Sequence, residues 1–170
     1  MMNDTCGEML SLATRRFLNT DIIINANQHL PQYAAYGHPV LPDEIEGFAG
    51  PLAGLQVGLR HATHSLVATV PCDSPFLPGD LVARLHQVMQ RNEADVAVAK
   101  TGDQAHPVFS LCRRGVRDHL DAFLAGGGRK IDQWYATLKV VEVPFDDEPA
   151  MFTNFNTPED LAKHEYRAVP

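Results

Sequence analysis

The run Leu66-Val67-Ala68-Thr69-Val70, followed by Pro71-Cys72-Asp73-Ser74-Pro75, constrains this chain more than any other stretch. The apolar residues read as a buried strand. Two prolines end it and stiffen the turn, because each fixes its own φ and restricts the residue before it. Asp73 is therefore a carboxylate on a rigid turn at the carboxyl end of a strand. In open α/β sheets ligands bind at that edge. A single carboxylate held this way suits Mg²⁺, which takes one or two protein carboxylates and fills its other positions with water and phosphate oxygens. The same residue could instead cap the next helix, and the turn alone does not separate the two readings.

The chain has 170 residues, enough for one domain with its own core. Its 45% hydrophobic and 21% charged residues are ordinary for a globular protein. No apolar run reaches the length of a membrane span, and Met1 to Thr5 lacks the basic-then-apolar order of a signal peptide. Cys6, Cys72 and Cys112 are too scattered for a zinc pattern or a disulfide framework, which fits a reducing cytoplasm. A net charge of -7 leaves no basic face for nucleic acid. A polyanionic small substrate would need a metal or a local basic cluster to offset repulsion, which favours the Mg²⁺ reading of Asp73.

Apolar spacing predicts a helix over Glu8 to Leu18, then a strand over Asp21 to Asn25 carrying Ile22, Ile23 and Ile24. A short strand over Gly37 to Asp43 ends in a carboxylate. Gly50-Pro51-Leu52-Ala53-Gly54 opens a helix to about His61, with Leu52, Leu55 and Leu59 on one face. Pro78-Gly79-Asp80 begins an amphipathic helix with Leu81, Val82, Leu85, Val88 and Met89 inward. Strands follow at Asp95 to Lys100 and Pro107 to Leu111, then a helix from Gly115 to Leu124 broken by Gly126-Gly127-Gly128. Lys139 to Pro144 is a further strand. Thr157, Pro158 and Asp160 mark the start of a last helix. The alternation predicts an α/β fold, Rossmann-like, with a mostly parallel sheet and helices on both faces.

Several chemistry-bearing groups fall at the same predicted edge: Asn25 and Asn27, Asp43, Gly50 through Gly54, Asp73, and Asn154 with Asn156. Amides can donate to and accept from a heterocycle, and helix N-termini favour phosphate. Each member alone has a plain alternative: turn chemistry for the asparagines, a solvated loop for Asp43, helix packing for the glycines. Their coincidence in order and side points to a nucleotide site. Arg129 and Lys130, after three glycines, can reach a phosphate or simply be solvated. His61 and His64 lack a third metal ligand and read as surface residues. Ser74 and Ser110 have no His/Asp partners for nucleophilic catalysis.

The order Ile24-Asn25-Ala26-Asn27, Asp43, Gly50-Pro51-Leu52-Ala53-Gly54, Pro71-Cys72-Asp73-Ser74-Pro75, Ala105-His106-Pro107, Gly128-Arg129-Lys130 and Asn154-Phe155-Asn156-Thr157-Pro158-Glu159 closely resembles the molybdenum cofactor guanylyltransferases. The resemblance implies a nucleotidyltransferase that moves GMP from GTP to molybdopterin and releases pyrophosphate. It implies Mg²⁺ and nucleotide at Asp73, and GTP contacts at Asn25, Asp43, Gly50 and Gly54. Arg129, Lys130, Asn154 and Asn156 fall on the molybdopterin side. It further implies a cytoplasmic protein in transient contact with proteins that make or receive the cofactor. That family opens with a strand and a glycine-rich loop of the form Leu-x-Gly-Gly-x-x-x-Arg-Met-Gly, which this sequence does not contain. The expectation is a single domain over residues 1–170, truncated at its N-terminus, with the first strand and loop missing and Met1-Met2 as an internal start. That absence puts the activity of so short a chain in question. It also leaves two alternatives open: a cytidylyltransferase for the same cofactor, or a non-catalytic protein that binds molybdopterin or its nucleotide form.

Overall fold

The computed structural model describes residues 21–45, 50–74, 76–155 and 157. The helices expected over Glu8 to Leu18 and after Thr157 lie outside these residues, as does Asn156. In chain order the elements are β1 (Ile24–Asn25), α1 (Leu30–Ala34), β2 (Val40–Leu41), α2 (Pro51–His61), β3 (Leu66–Thr69), α3 (Leu81–Asn92), β4 (Val96–Thr101), β5 (Gln104–Arg113), α4 (Arg117–Ala125), α5 (Ile131–Tyr135) and β6 (Val140–Pro144). A 3-10 turn covers Pro149–Phe152. The short α1 and α5 carry too little apolar periodicity to be read from sequence.

The α/β class expected from the alternation is the one found. The described strands form a two-stranded sheet, β1-β2, and a four-stranded sheet in the order β3-β5-β4-β6. Pairing is more mixed than the mostly parallel sheet expected. β1/β2 and β4/β6 are parallel, whereas β5 runs against both β3 and β4. The reason is local. Gly102, at φ 53°, turns the chain straight back after β4, so β5 pairs with β4 as a hairpin with no crossover helix.

β4 is buried on both faces, so its alternate residues feed two cores. Ala97 and Ala99 face one, with Leu81, Leu85 and Met89 of α3 and with Phe109, Phe145 and Phe152. Val96 and Val98 face the other, with Leu52, Leu55 and Leu59 of α2, Leu120 and Leu124 of α4, and Trp134 of α5. Helices therefore cover both faces, as expected. α2 touches both sheets. A Cβ on Gly54 would meet the Asn25 side chain, and one on Gly58 would meet Val67 Cγ1 at 3.4 Å.

Phe145 anchors the α3-side core. It is fully buried, its ring lies 5.3 Å from that of Phe152, and the Arg84 guanidinium carbon sits 3.9 Å above it. Phe145→Ala is expected to cost about 3–5 kcal/mol in urea unfolding. A loss below about 1 kcal/mol would show that this core relaxes around the gap.

Candidate active site

The carboxyl ends of β1 and β2 lie side by side against the amino half of α2, and β3 packs on the same helix. The side chains there form two hydrogen-bonded groups. The first is a closed clamp. Asn25 Nδ2 donates to the Leu41 carbonyl at 3.1 Å and to Asp43 Oδ1 at 3.0 Å. Asn27 Nδ2 donates to Asp43 Oδ2 at 2.8 Å, and the Asp43 backbone N–H returns a bond to Asn27 Oδ1 at 2.8 Å. Both N–H bonds of Asn25 are thus spent inside the protein. The remaining lone pairs of the Asp43 carboxylate, rather than the Asn25 amide, are left for a ligand.

Gly54 exists to let this clamp form. Its missing Cβ would lie 2.5 Å from Asn25 Oδ1. Gly50 has a different reason, because its φ of 60° and ψ of -152° belong to a region that only glycine occupies comfortably. It sits at the N-cap of α2 with Pro51 behind it, and no side chain caps that terminus among the described residues. The positive end of the helix dipole there suits an anion.

The second group surrounds Asp73. The helix-cap alternative does not apply, because α3 starts at Leu81 with Asp80 at its cap position. Asp73 Oδ1 is buried and has no hydrogen-bond partner among the described residues. A carboxylate oxygen in that condition costs free energy unless a cation or donor completes it. Ser74 Oγ donates to Asn154 Oδ1 at 2.9 Å, and the Phe155 N–H donates to the Asp73 carbonyl at 2.8 Å. The structure therefore brings Asn154 to Ser74, next to Asp73, from 80 residues away in sequence.

Arg129 is employed otherwise. Its Nη1 donates to the carbonyls of Leu124 and Gly128 at 2.9 and 2.7 Å, closing the C-terminus of α4. Gly128 is pressed on the Phe123 ring, where a Cβ would come within 2.3 Å. α4 runs alongside α2, since Asp121 accepts from Gln56 and pairs with Arg60. The Arg129-Lys130 loop is held by the α2-side core, and Asn154 by the α3-side core through Phe152. The structure records no contact between them.

Sequence reasoning missed three residues near the clamp. Gln28, His29 and Tyr33 line a cleft of about 420 Å³ with Asn25, Ala26 and Asn27. His29 holds a left-handed φ of 55°, which no periodicity announces. It also missed that Glu44, next to Asp43, ties the loop to α2 through Arg60 at 2.5 Å and His61 at 2.6 Å. His61, and Arg60 beside it, hold the Glu44 carboxyl below its ordinary range. That contribution is present above the ordinary carboxylate range and fades as pH falls through the lowered value. Among the described residues no group of three His, Cys, Asp or Glu forms a metal cluster.

The two glycines of α2 give a paired test. Gly54→Ala is expected to break the Asn25–Asp43 bond and cost about 1–3 kcal/mol. Gly58→Ala meets only ordinary contact with Val67 and gains helix propensity, so it should be neutral or stabilising by up to about 1 kcal/mol. Urea unfolding of both variants checks the sign difference.

Residues 7–140 match the family described as the MobA-like NTP transferase domain. The molybdenum cofactor guanylyltransferase of Cupriavidus metallidurans is 47% identical over 149 residues, covering 85% of this chain and 73% of that protein. The enzyme of the same name from Polynucleobacter asymbioticus is 49% identical over 144 residues, covering 82% of this chain and 72% of its own length. Among solved structures, the molybdopterin-guanine dinucleotide biosynthesis protein A of Archaeoglobus fulgidus superposes with a TM-score of 0.74 at 22% identity, covering 91% of this chain and 82% of that one. With a glycine-opened helix beside an asparagine–aspartate clamp and an aspartate between two prolines in the sequence, this chain belongs to the molybdenum cofactor guanylyltransferase family of MobA-like NTP transferases.

Proposed function

We propose that this chain transfers GMP from GTP to molybdopterin, forming the guanine dinucleotide form of the cofactor and releasing pyrophosphate. One observation carries the reading: Oδ1 of Asp73 is buried and has no partner among the described residues, on a turn bonded to Asn154. Asp43, positioned by Asn25 and Asn27, offers acceptors to the nucleoside. Gly50 and Gly54 let the backbone of α2 come close to the triphosphate. Asn154 and Asn156, with Lys130, are assigned to the molybdopterin side, while Arg129 closes the end of α4.

The reaction asks little covalent chemistry of the protein. A phosphate oxygen of molybdopterin attacks the α-phosphorus of GTP, a new P–O bond forms, and the α–β P–O bond breaks with its electrons leaving on pyrophosphate. The nucleophile is already anionic near neutral pH, so no general base is needed. What is needed is in-line placement of two anions and neutralisation of charge. Asp73 fits a divalent cation, for which we favour Mg²⁺; bound there, it would screen the α-phosphate and the leaving pyrophosphate. The N–H groups at the start of α2 add fixed dipoles. No helix among the described residues is long and apolar enough to cross a membrane, and we place the protein in the cytoplasm, where molybdopterin and GTP meet.

Asp73→Asn is expected to weaken Mg²⁺-dependent GTP binding tenfold or more, about 1.4 kcal/mol, in titration calorimetry of the full chain. Unchanged affinity would remove the metal assignment. Pyrophosphate release should require GTP, Mg²⁺ and molybdopterin together. Equal release with CTP would point to a cytidylyltransferase, and pterin binding without release to a carrier.

A further inference from the structure

Ser74 follows Asp73 directly and has no exposure to solvent. A buried hydroxyl costs free energy unless it is bonded, and this one donates to Asn154 Oδ1 at 2.9 Å. That bond sets the orientation of the Asn154 amide. With Oδ1 turned toward Ser74, the Nδ2 group points away from it, on a residue that is itself exposed. An exposed amide held in one orientation is a donor ready for an anionic oxygen. One residue further, the Phe155 N–H donates to the Asp73 carbonyl, and the buried Phe155 ring meets Phe76 edge-on at 5.3 Å. The segment 153–155 and the turn 72–74 thus move as one piece.

We propose that Ser74 is a positioning residue that couples the two substrate halves, transmitting occupancy of the acceptor side at Asn154 to the carboxylate of Asp73. The inference rests on the functional reading above and adds to it a residue and a cooperativity. An anion bound at Asn154 immobilises segment 153–155. That segment holds the Asp73 carbonyl directly and the turn through Ser74. The Asp73 carboxylate then has less freedom to lose when a cation and a triphosphate bind. A ligand that has already paid for ordering lowers the cost for the next one. The coupling is reciprocal, so nucleotide must tighten acceptor binding by the same factor.

The Asp43 clamp offers no such route, since its bonds close on β1, β2 and the loops that follow them. Nor does Arg129, whose bonds close on α4. A purely structural role for Ser74 would lower stability and leave the coupling untouched, which separates the two.

The test is calorimetric titration of Mg²⁺·GTP into the full chain, with and without saturating molybdopterin. The native chain is expected to bind GTP about fivefold or more tightly when molybdopterin is present. Ser74→Ala is expected to bring that ratio to one while each ligand alone still binds. Should Ser74→Ala unfold, Ser74→Cys keeps the shape of the side chain and weakens its hydrogen bond to Asn154, and it too should bring the ratio to one. A native ratio of one, or a native-like ratio in either Ser74 variant, overturns the proposal while leaving the functional reading intact. Failure of the native chain to bind either ligand overturns the functional reading and this proposal with it.

Discussion

Helix α2 lies against strands of two separate sheets, and one missing side chain sets how close it comes. Gly54 lets the helix meet Asn25, whereas a side chain at Gly58 would make only ordinary contact with Val67. The first approach is the tighter and the more consequential. It leaves room for the Asn25 side chain to turn toward Leu41 and Asp43, which in turn aligns the Asp43 carboxylate with Asn27. Any side chain at position 54 would compete with that amide for the same space. The amino end of α2 is delivered to the same edge by the same packing, with Gly50 in a conformation that other residues avoid. Clamp and helix terminus are therefore one construction.

The other half of the edge depends on the opposite core. Phe152 packs against Phe109 and Phe145, and His106 stacks on it with ring centroids 4.7 Å apart. Burial holds the His106 imidazole below its ordinary range, which keeps a neutral ring in an aromatic cluster. Thr101 meets its Nε2 at 2.7 Å. This cluster fixes the chain just before Thr153, so that Asn154 and Phe155 arrive at the Asp73 turn. The two halves of the edge are thus set by two cores on opposite faces of one sheet. A reaction that brings two anions together benefits from such an arrangement, because each half can hold its own charge apart until the groups align.

Much of the edge was legible from residue types. Prolines 71 and 75 announced a stiff turn, and the carboxylate between them read equally as a cation ligand or a helix cap until α3 was found to start at Leu81. Gly-Pro at 50–51 announced a helix start. The run Val96-Ala97-Val98-Ala99 announced a strand buried on both faces, as found. Strand direction was less legible. The turn at Gly102 sends β5 back along β4, and periodicity carries no record of whether a strand runs with or against its neighbour. Arg129 shows a second limit. A basic residue after three glycines reads as a mobile phosphate ligand, yet its guanidinium closes the end of α4.

By itself, the sequence determined which segments are strands and helices, which residues are too polar for the core, and which glycines and prolines punctuate the edge. Those properties follow from local sterics and from apolar period, both written in neighbouring residues. Tertiary structure alone decided that the amide donors of Asn25 are consumed by Leu41 and Asp43, that an Asp73 oxygen is buried without a partner among the described residues, and that Ser74 meets Asn154. Hydrogen bonds between residues 16 to 80 positions apart depend on where two cores place their loops. No local rule carries that information, because the partners become neighbours only after both faces of the sheet are packed.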